Sequence, residues 1–161
     1  MTVKSTGQRL LILLGFILAV EGIGFLSSVL SGDIKAIYHS LVLPPFSPPD
    51  YLFGIVWPVL YLLIAISGYL LFINVSPGTL QKANLIKFLM QLLLNFAWSI
   101  VFFQFELFWA GLIIILVMDI IVAMSIKPFY VTNKFSGYSF SIYLLWLLFA
   151  TYLTVGVAIL N

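Results

Sequence analysis

Apolar residues in this chain run in long unbroken stretches, and polar residues collect in the short gaps between them. Five stretches reach the roughly 20 residues a helix needs to cross a bilayer. They lie at 8–30, 51–73, 81–103, 108–129 and 135–160. The gaps at 31–50, 74–80, 104–107 and 130–134 are short, so successive helices must run antiparallel. The predicted fold is an all-α integral membrane protein, a single five-transmembrane-helix bundle spanning 1–161. The first stretch is too long for the apolar core of a signal peptide and no small-x-small cleavage site follows it, so it is read as a helix.

Composition agrees. Hydrophobic residues make up 63% of the chain and charged residues 7%, against about 25% charged in soluble domains. The absence of cysteine excludes disulfides and thiolate sites. A single histidine, His39, cannot build a multi-histidine centre, so no metal site and no required cofactor are expected. There is no phosphate-binding glycine loop, HExxH, GxSxG or basic patch suited to nucleic acid. With five crossings, Lys4, Arg9, Lys82, Lys87, Lys127 and Lys134 fall on the amino-terminal side and only Lys35 on the other. The excess of positive charge predicts an amino terminus inside, with the first loop and the carboxyl terminus outside. A bacterial cytoplasmic membrane is the expected location.

The most unusual segment is LPPFSPPDYLFGIVWPVLY at 43–61. Four prolines (Pro44, Pro45, Pro48, Pro49) stiffen the first loop and keep it largely out of helix. A rigid, aromatic-rich loop at the end of a membrane helix is expected to cap a pocket. Two carboxyls, Glu21 and Asp119, fall near the middle of spans with no Lys or Arg placed to pair with them. Each is either a proton or cation relay or a neutral acid bonded to a neighbouring helix. Asn95, Trp98, Ser99 and Phe102 fall at i, i+3, i+4 and i+7, on one helical face. That face is either a ligand wall or an interhelical hydrogen-bonding surface. Trp146, Ala150 and Leu153 share a face of the last span, with Tyr143 one turn earlier; packing and ligand contact are both open there.

The same residues resemble the TspO/MBR family of tryptophan-rich sensory or translocator proteins, which includes the peripheral benzodiazepine receptors. The likeness is carried by LPPFSPPDYLFGIVWPVLY, by IYHSL before it, by LNFAWSIVFF in the third span and by YLLWLLFATYL in the fifth. It covers nearly the whole chain in order. It implies a five-helix bundle with the first loop folded over a pocket, porphyrin as ligand, and a homodimer. Matched motif by motif, the implied ligand-binding residues are Tyr38, Pro48, Trp57, Tyr61, Asn95, Trp98, Ser99, Phe102, Trp146 and Ala150. The sequence departs from the family's habits at Ile37, Leu43, Phe46, Ile142 and Thr154. No Lys or Arg follows Lys134, so the family's carboxy-terminal sterol motif is absent and sterol binding is not expected.

The resemblance implies a porphyrin-binding sensory or regulatory protein. Lys35 and His39, the basic side chains on the loop side, are then expected at the pocket mouth, facing porphyrin propionates. Two alternatives stand beside it. One is a light- and oxygen-dependent porphyrin-degrading enzyme, for which Trp57 and Trp146 are the candidate catalytic residues. The other is a porphyrin or small-molecule transporter, for which the chain lacks the inverted repeats and broken helices usual in secondary transporters.

Overall fold

In the computed structural model, which describes residues 5–74 and 79–161, five long helices run back and forth in chain order. They are α1 (Thr6–Leu30), α3 (Tyr51–Asn74), α4 (Thr79–Ser99), α5 (Phe108–Thr132) and α6 (Lys134–Leu160), with a short α2 (Ile34–Ser40) after α1. All five are long and apolar enough to cross a membrane. The protein is thus a multi-pass integral membrane protein, as hydropathy predicts. Lys4, counted above in the charge asymmetry, and most of the 74–80 connection lie outside the described residues.

Local chemistry sets the ends of these helices. Ser5 and Gln8 form a reciprocal cap at the start of α1. Asp33 Oδ1 accepts from the Ala36 amide and starts α2 inside what the sequence suggests is only loop. Asn133 Oδ1 accepts from the Phe135 amide at the start of α6. The last turn of α4 widens into a π-helical turn over Ile100–Gln104, closed by Phe105 N–H donating to Ile100 C=O.

Lipid is as apolar as leucine, so close packing rather than hydrophobicity must hold the helices together. The most extensive interface is α5 against α6. Small buried residues on these two helices include Gly111, Ser125, Ser136, Gly137 and Ser139, and Gly137 packs directly on Tyr130 of α5. Their hydroxyls are largely satisfied within the bundle: Ser125 Oγ donates to Ile121 C=O, and Ser136 Oγ to Ser67 C=O on α3. By contrast α1 buries only Val20, Gly24 and Ser27 and turns Leu11, Leu14 and Leu18 outward. It is the peripheral helix, and its outer face suits lipid.

Candidate functional site

The five-helix arrangement leaves a cavity of about 620 Å³ in the half of the bundle nearest α2. Its wall is contributed by the second half of α1 (Glu21, Gly24, Phe25, Ser27, Ser28) and by α2 with the residues after it (Ile34, Lys35, Tyr38, Leu41, Leu43). Asp50 and the first half of α3 add Tyr51, Phe53, Gly54, Trp57, Pro58 and Tyr61. The end of α4 adds Asn95, Trp98, Ser99, Phe102 and Phe103, and α6 adds Ala150, Leu153, Thr154 and Val157. Helix α5 supplies none of these residues.

A chain of hydrogen bonds crosses the bundle behind this wall. Tyr61 Oη donates to Asn95 Oδ1 at 2.7 Å, and Asn95 Nδ2 donates to Tyr143 Oη at 2.9 Å. Tyr143 Oη in turn donates to Met118 Sδ at 3.5 Å. Asn95 therefore ties α3 to α6 and retains one amide hydrogen free of these bonds. Tyr61 can take its place because Gly24 on α1 has no side chain; a Cβ there would clash with the tyrosine ring. Ser99 and Ser31 hydroxyls are 2.7 Å apart, and Ser27 Oγ donates to Phe96 C=O, holding α1 to α4.

Aromatic rings shape the apolar part. Trp57 stacks on Tyr61, with centroids 5.5 Å apart. Trp98 stacks on Phe102 at 5.0 Å. The π-helical turn brings Phe102 and Phe103 to the wall together; in a regular helix, neighbours in sequence point about 100° apart.

Of the residues expected at a ligand site, Tyr38, Trp57, Tyr61, Asn95, Trp98, Ser99, Phe102, Ala150 and Lys35 line the cavity. Pro48, Trp146 and His39 are not among the lining residues but touch them. The Pro48 carbonyl accepts from Tyr38 Oη at 2.7 Å. Trp146 packs edge-on against Trp57 and Phe53, at 6.5 and 6.1 Å, and so backs two wall residues. Of the two intramembrane acids, Glu21 lies on the wall, whereas Asp119 is buried on α5 and accepts from Thr151 Oγ1 at 2.8 Å. No spacing pattern singles out Phe53 on α3, which touches Tyr38 and Trp146 and joins α2 to α6. Its only signal was its place in the aromatic run after the prolines.

The proline segment lies against α6. Prolines lack the N–H but keep the carbonyl, and those carbonyls serve as acceptors. Tyr152 Oη donates to Pro45 C=O at 2.7 Å. Val42 exchanges two hydrogen bonds with the Asn161 side chain. The Pro44 ring rests on Gly156, where a Cβ would come within 2.5 Å of it. Beside the segment, Lys35 Nζ and His39 Nε2 each approach Asp50 Oδ2 at 3.4 Å. Desolvation works against the Asp50 carboxylate, but the His39 bond and the Lys35 charge outweigh it and hold the carboxyl below its usual range. Burial pushes the Tyr38 hydroxyl up, opposed by its contact with Ser47 and reinforced by the Asp50 charge. Among the described residues, no group of three His, Cys, Asp or Glu side chains could hold a metal ion.

The profile of the TspO/MBR family matches residues 16–160. The chain belongs to the TspO/MBR family. It is similar to the tryptophan-rich protein TspO of Archaeoglobus fulgidus, 38% identical over 156 residues, covering 96% of this chain and 99% of that one. A protein of the same name from Chlorobaculum tepidum is 31% identical over 92% of each chain. The tryptophan-rich sensory protein of Cereibacter sphaeroides is 29% identical over 77% of this chain and 76% of its own. Family membership accounts for the five helices and for the order of the proline, third-span and fifth-span motifs.

Proposed function

We propose that this TspO/MBR protein binds a flat, apolar tetrapyrrole of the porphyrin class in the cavity beneath its proline segment, and acts as a sensory or regulatory protein rather than a conventional enzyme. The observation that carries this reading is the cavity itself. Its 620 Å³ falls within the roughly 300–1,000 Å³ typical of small-molecule sites. Its wall combines stacked aromatic pairs with a few polar groups, the usual make-up of such sites. In this reading Trp57 and Phe102 offer ring faces, Asn95 offers its remaining amide hydrogen, and Trp146 positions Trp57. The proline segment serves as a cover pinned to α6. We further infer a homodimer, and a bacterial cytoplasmic membrane with the amino terminus inside.

The test is a dark titration of purified protein in detergent with protoporphyrin IX and with its uncharged dimethyl ester, followed by tryptophan fluorescence. Saturable quenching by at least one of them at micromolar concentration, weakened about tenfold in Trp57→Ala, is the expected result. No saturable quenching by either would overturn the reading.

A second reading rests on the contact between Trp57 and Trp146. An indole on the wall against a half-buried one would offer a route for oxidising equivalents during light- and oxygen-dependent porphyrin breakdown. Porphyrin loss that needs both protein and light, and that stops in Trp57→Phe and Trp146→Phe, would favour it. Loss unchanged in both variants would remove it.

A further inference from the structure

Two bases and one carboxylate meet at the rim of the cavity. Lys35 and His39 are one helical turn apart on α2, and both approach the same oxygen, Asp50 Oδ2. The two basic side chains are mostly exposed, at 76% and 62%, and ion pairs of that kind add little to stability. Their effect on the cavity is larger. Among the described residues, the charged side chains on its wall are Glu21, Lys35 and Asp50. The Tyr38 hydroxyl, also on this wall, is engaged by the Pro48 carbonyl. The wall residues from α4 and α6 carry no charge.

The Lys35 charge is therefore already matched, and the other charged side chain on the wall, Glu21, is an acid. A ligand carboxylate arriving at the rim meets no free cation. To pair with Lys35 and His39 it must displace Asp50 and leave that carboxylate uncompensated beside it. This alters the expectation that the two bases simply receive porphyrin propionates.

We propose that Asp50 is a specificity-determining residue of the cavity: by occupying Lys35 and His39 it favours flat ligands with a neutral polar edge over the same ligands bearing free carboxylates. The proposal rests on the reading of the cavity as a ligand site and names which members of the ligand class it prefers.

The test compares protoporphyrin IX with its dimethyl ester on wild-type protein and on Asp50→Asn in the dark, at low and high salt. Asparagine is nearly isosteric, and the bond from Phe53 N–H goes to the backbone carbonyl of residue 50, so the start of α3 survives the change. Wild type is expected to bind the ester at least as tightly as the diacid. In Asp50→Asn the freed bases should tighten diacid binding about three- to fivefold, the upper end of what one exposed charge contact contributes. Ester binding should stay within twofold, and the gain should shrink at high salt. Adding Lys35→Gln to Asp50→Asn should cancel most of the gain. A diacid-to-ester ratio unmoved by Asp50→Asn, or both ligands shifting together, would overturn the proposal while leaving the cavity reading intact. Failure of both ligands to bind wild type would sink the cavity reading itself, and this proposal with it.

Discussion

The two halves of the bundle are made from the same helices and are built on opposite terms. In the half away from α2, Phe129 and Phe140 are fully buried with ring centroids 4.6 Å apart. There Gly137 packs directly on Tyr130, and Gly68 on Phe88. Small residues let backbones approach, and single large rings fill what is left. In the half nearest α2, aromatics stand in stacked pairs around open space, and polar atoms form a chain through Asn95. A membrane bundle without a hydrophobic force between its helices can keep a cavity at one end only if the other end packs well enough to hold all five together. The comparison separates what holds the fold from what would hold a guest.

The largest expected effect is in the packed half. Phe140→Ala removes a ring that is fully buried against Phe129 and Tyr143. It should cost about 3 kcal/mol of stability, the low end of the soluble range because lipid rather than water is the alternative surroundings. Reversible unfolding in mixed detergent would measure it. Affinity for a porphyrin per folded molecule should stay within about twofold. A loss of affinity matching the loss of stability would show that the two halves are not separable.

Gly156→Ala tests the proposed cover. The new methyl would meet Pro44 ring carbons at 2.5 Å. A pyrrolidine ring cannot flex away as a long side chain can, so the proline segment must lift. Overpacking of this kind costs about 1–3 kcal/mol, partly offset by alanine's helix preference of up to about 1 kcal/mol over glycine. The sharper readout is hydrogen exchange at the Val42 amide, which donates to Asn161 Oδ1 at 2.9 Å. Its exchange should quicken while amides near Phe140 keep their protection. Unchanged protection at Val42 would mean that Pro44 does not anchor the segment.

Tyr61→Phe probes the polar chain within the cavity half. It removes the 2.7 Å bond to Asn95 Oδ1 and leaves the stack with Trp57 in place. Interhelical hydrogen bonds in membranes average about 0.6 kcal/mol with a maximum near 1.7, so a loss of about 1 kcal/mol is expected. The same unfolding assay checks it, and a cost as large as that of Phe140→Ala would break the comparison.

The five long helices were legible because hydrocarbon thickness imposes a length that little else in a sequence imitates. The α4 face of Asn95, Trp98, Ser99 and Phe102 was legible because the helical repeat holds up to Ser99. Past that point the π-helical turn shifts the register, and Phe103 joins the wall where regular periodicity would turn it away. Helix α2 was not legible. Seven residues give too short a pattern, and the neighbouring prolines pointed to loop; only Asp33 marked its start. The position of Trp146 was hidden for another reason. It shares a face with Ala150, but a side chain as large as indole reaches across to Phe53 and Trp57 and fills the gap behind the wall instead. The Asp50 cluster joins residues 11 and 15 positions apart through the fold of the proline segment, which spacing alone does not specify.

The smallest effect concerns that cluster, and its sign follows from the direction in which the folded protein moves the carboxyl. His39 and Lys35 hold Asp50 below its ordinary range in spite of the opposing desolvation. A carboxyl depressed in the folded state stabilises the fold above its unfolded pKa, about 3.9, and loses that contribution as pH falls through the lower, folded value. Wild type should thus be slightly more stable than Asp50→Asn near neutral pH, and the two should converge in acid. Unfolding midpoints of both proteins across that range, plotted as their difference, give the test. A difference that is flat with pH would mean that the 3.4 Å contacts do not favour the ionised carboxyl. A difference that widens in acid would mean that Asp50 is held protonated, and that the cavity rim presents its bases free to a ligand after all. The packed half supplies the internal control: Phe140→Ala changes no titrating group, so its destabilisation should follow pH in parallel with wild type.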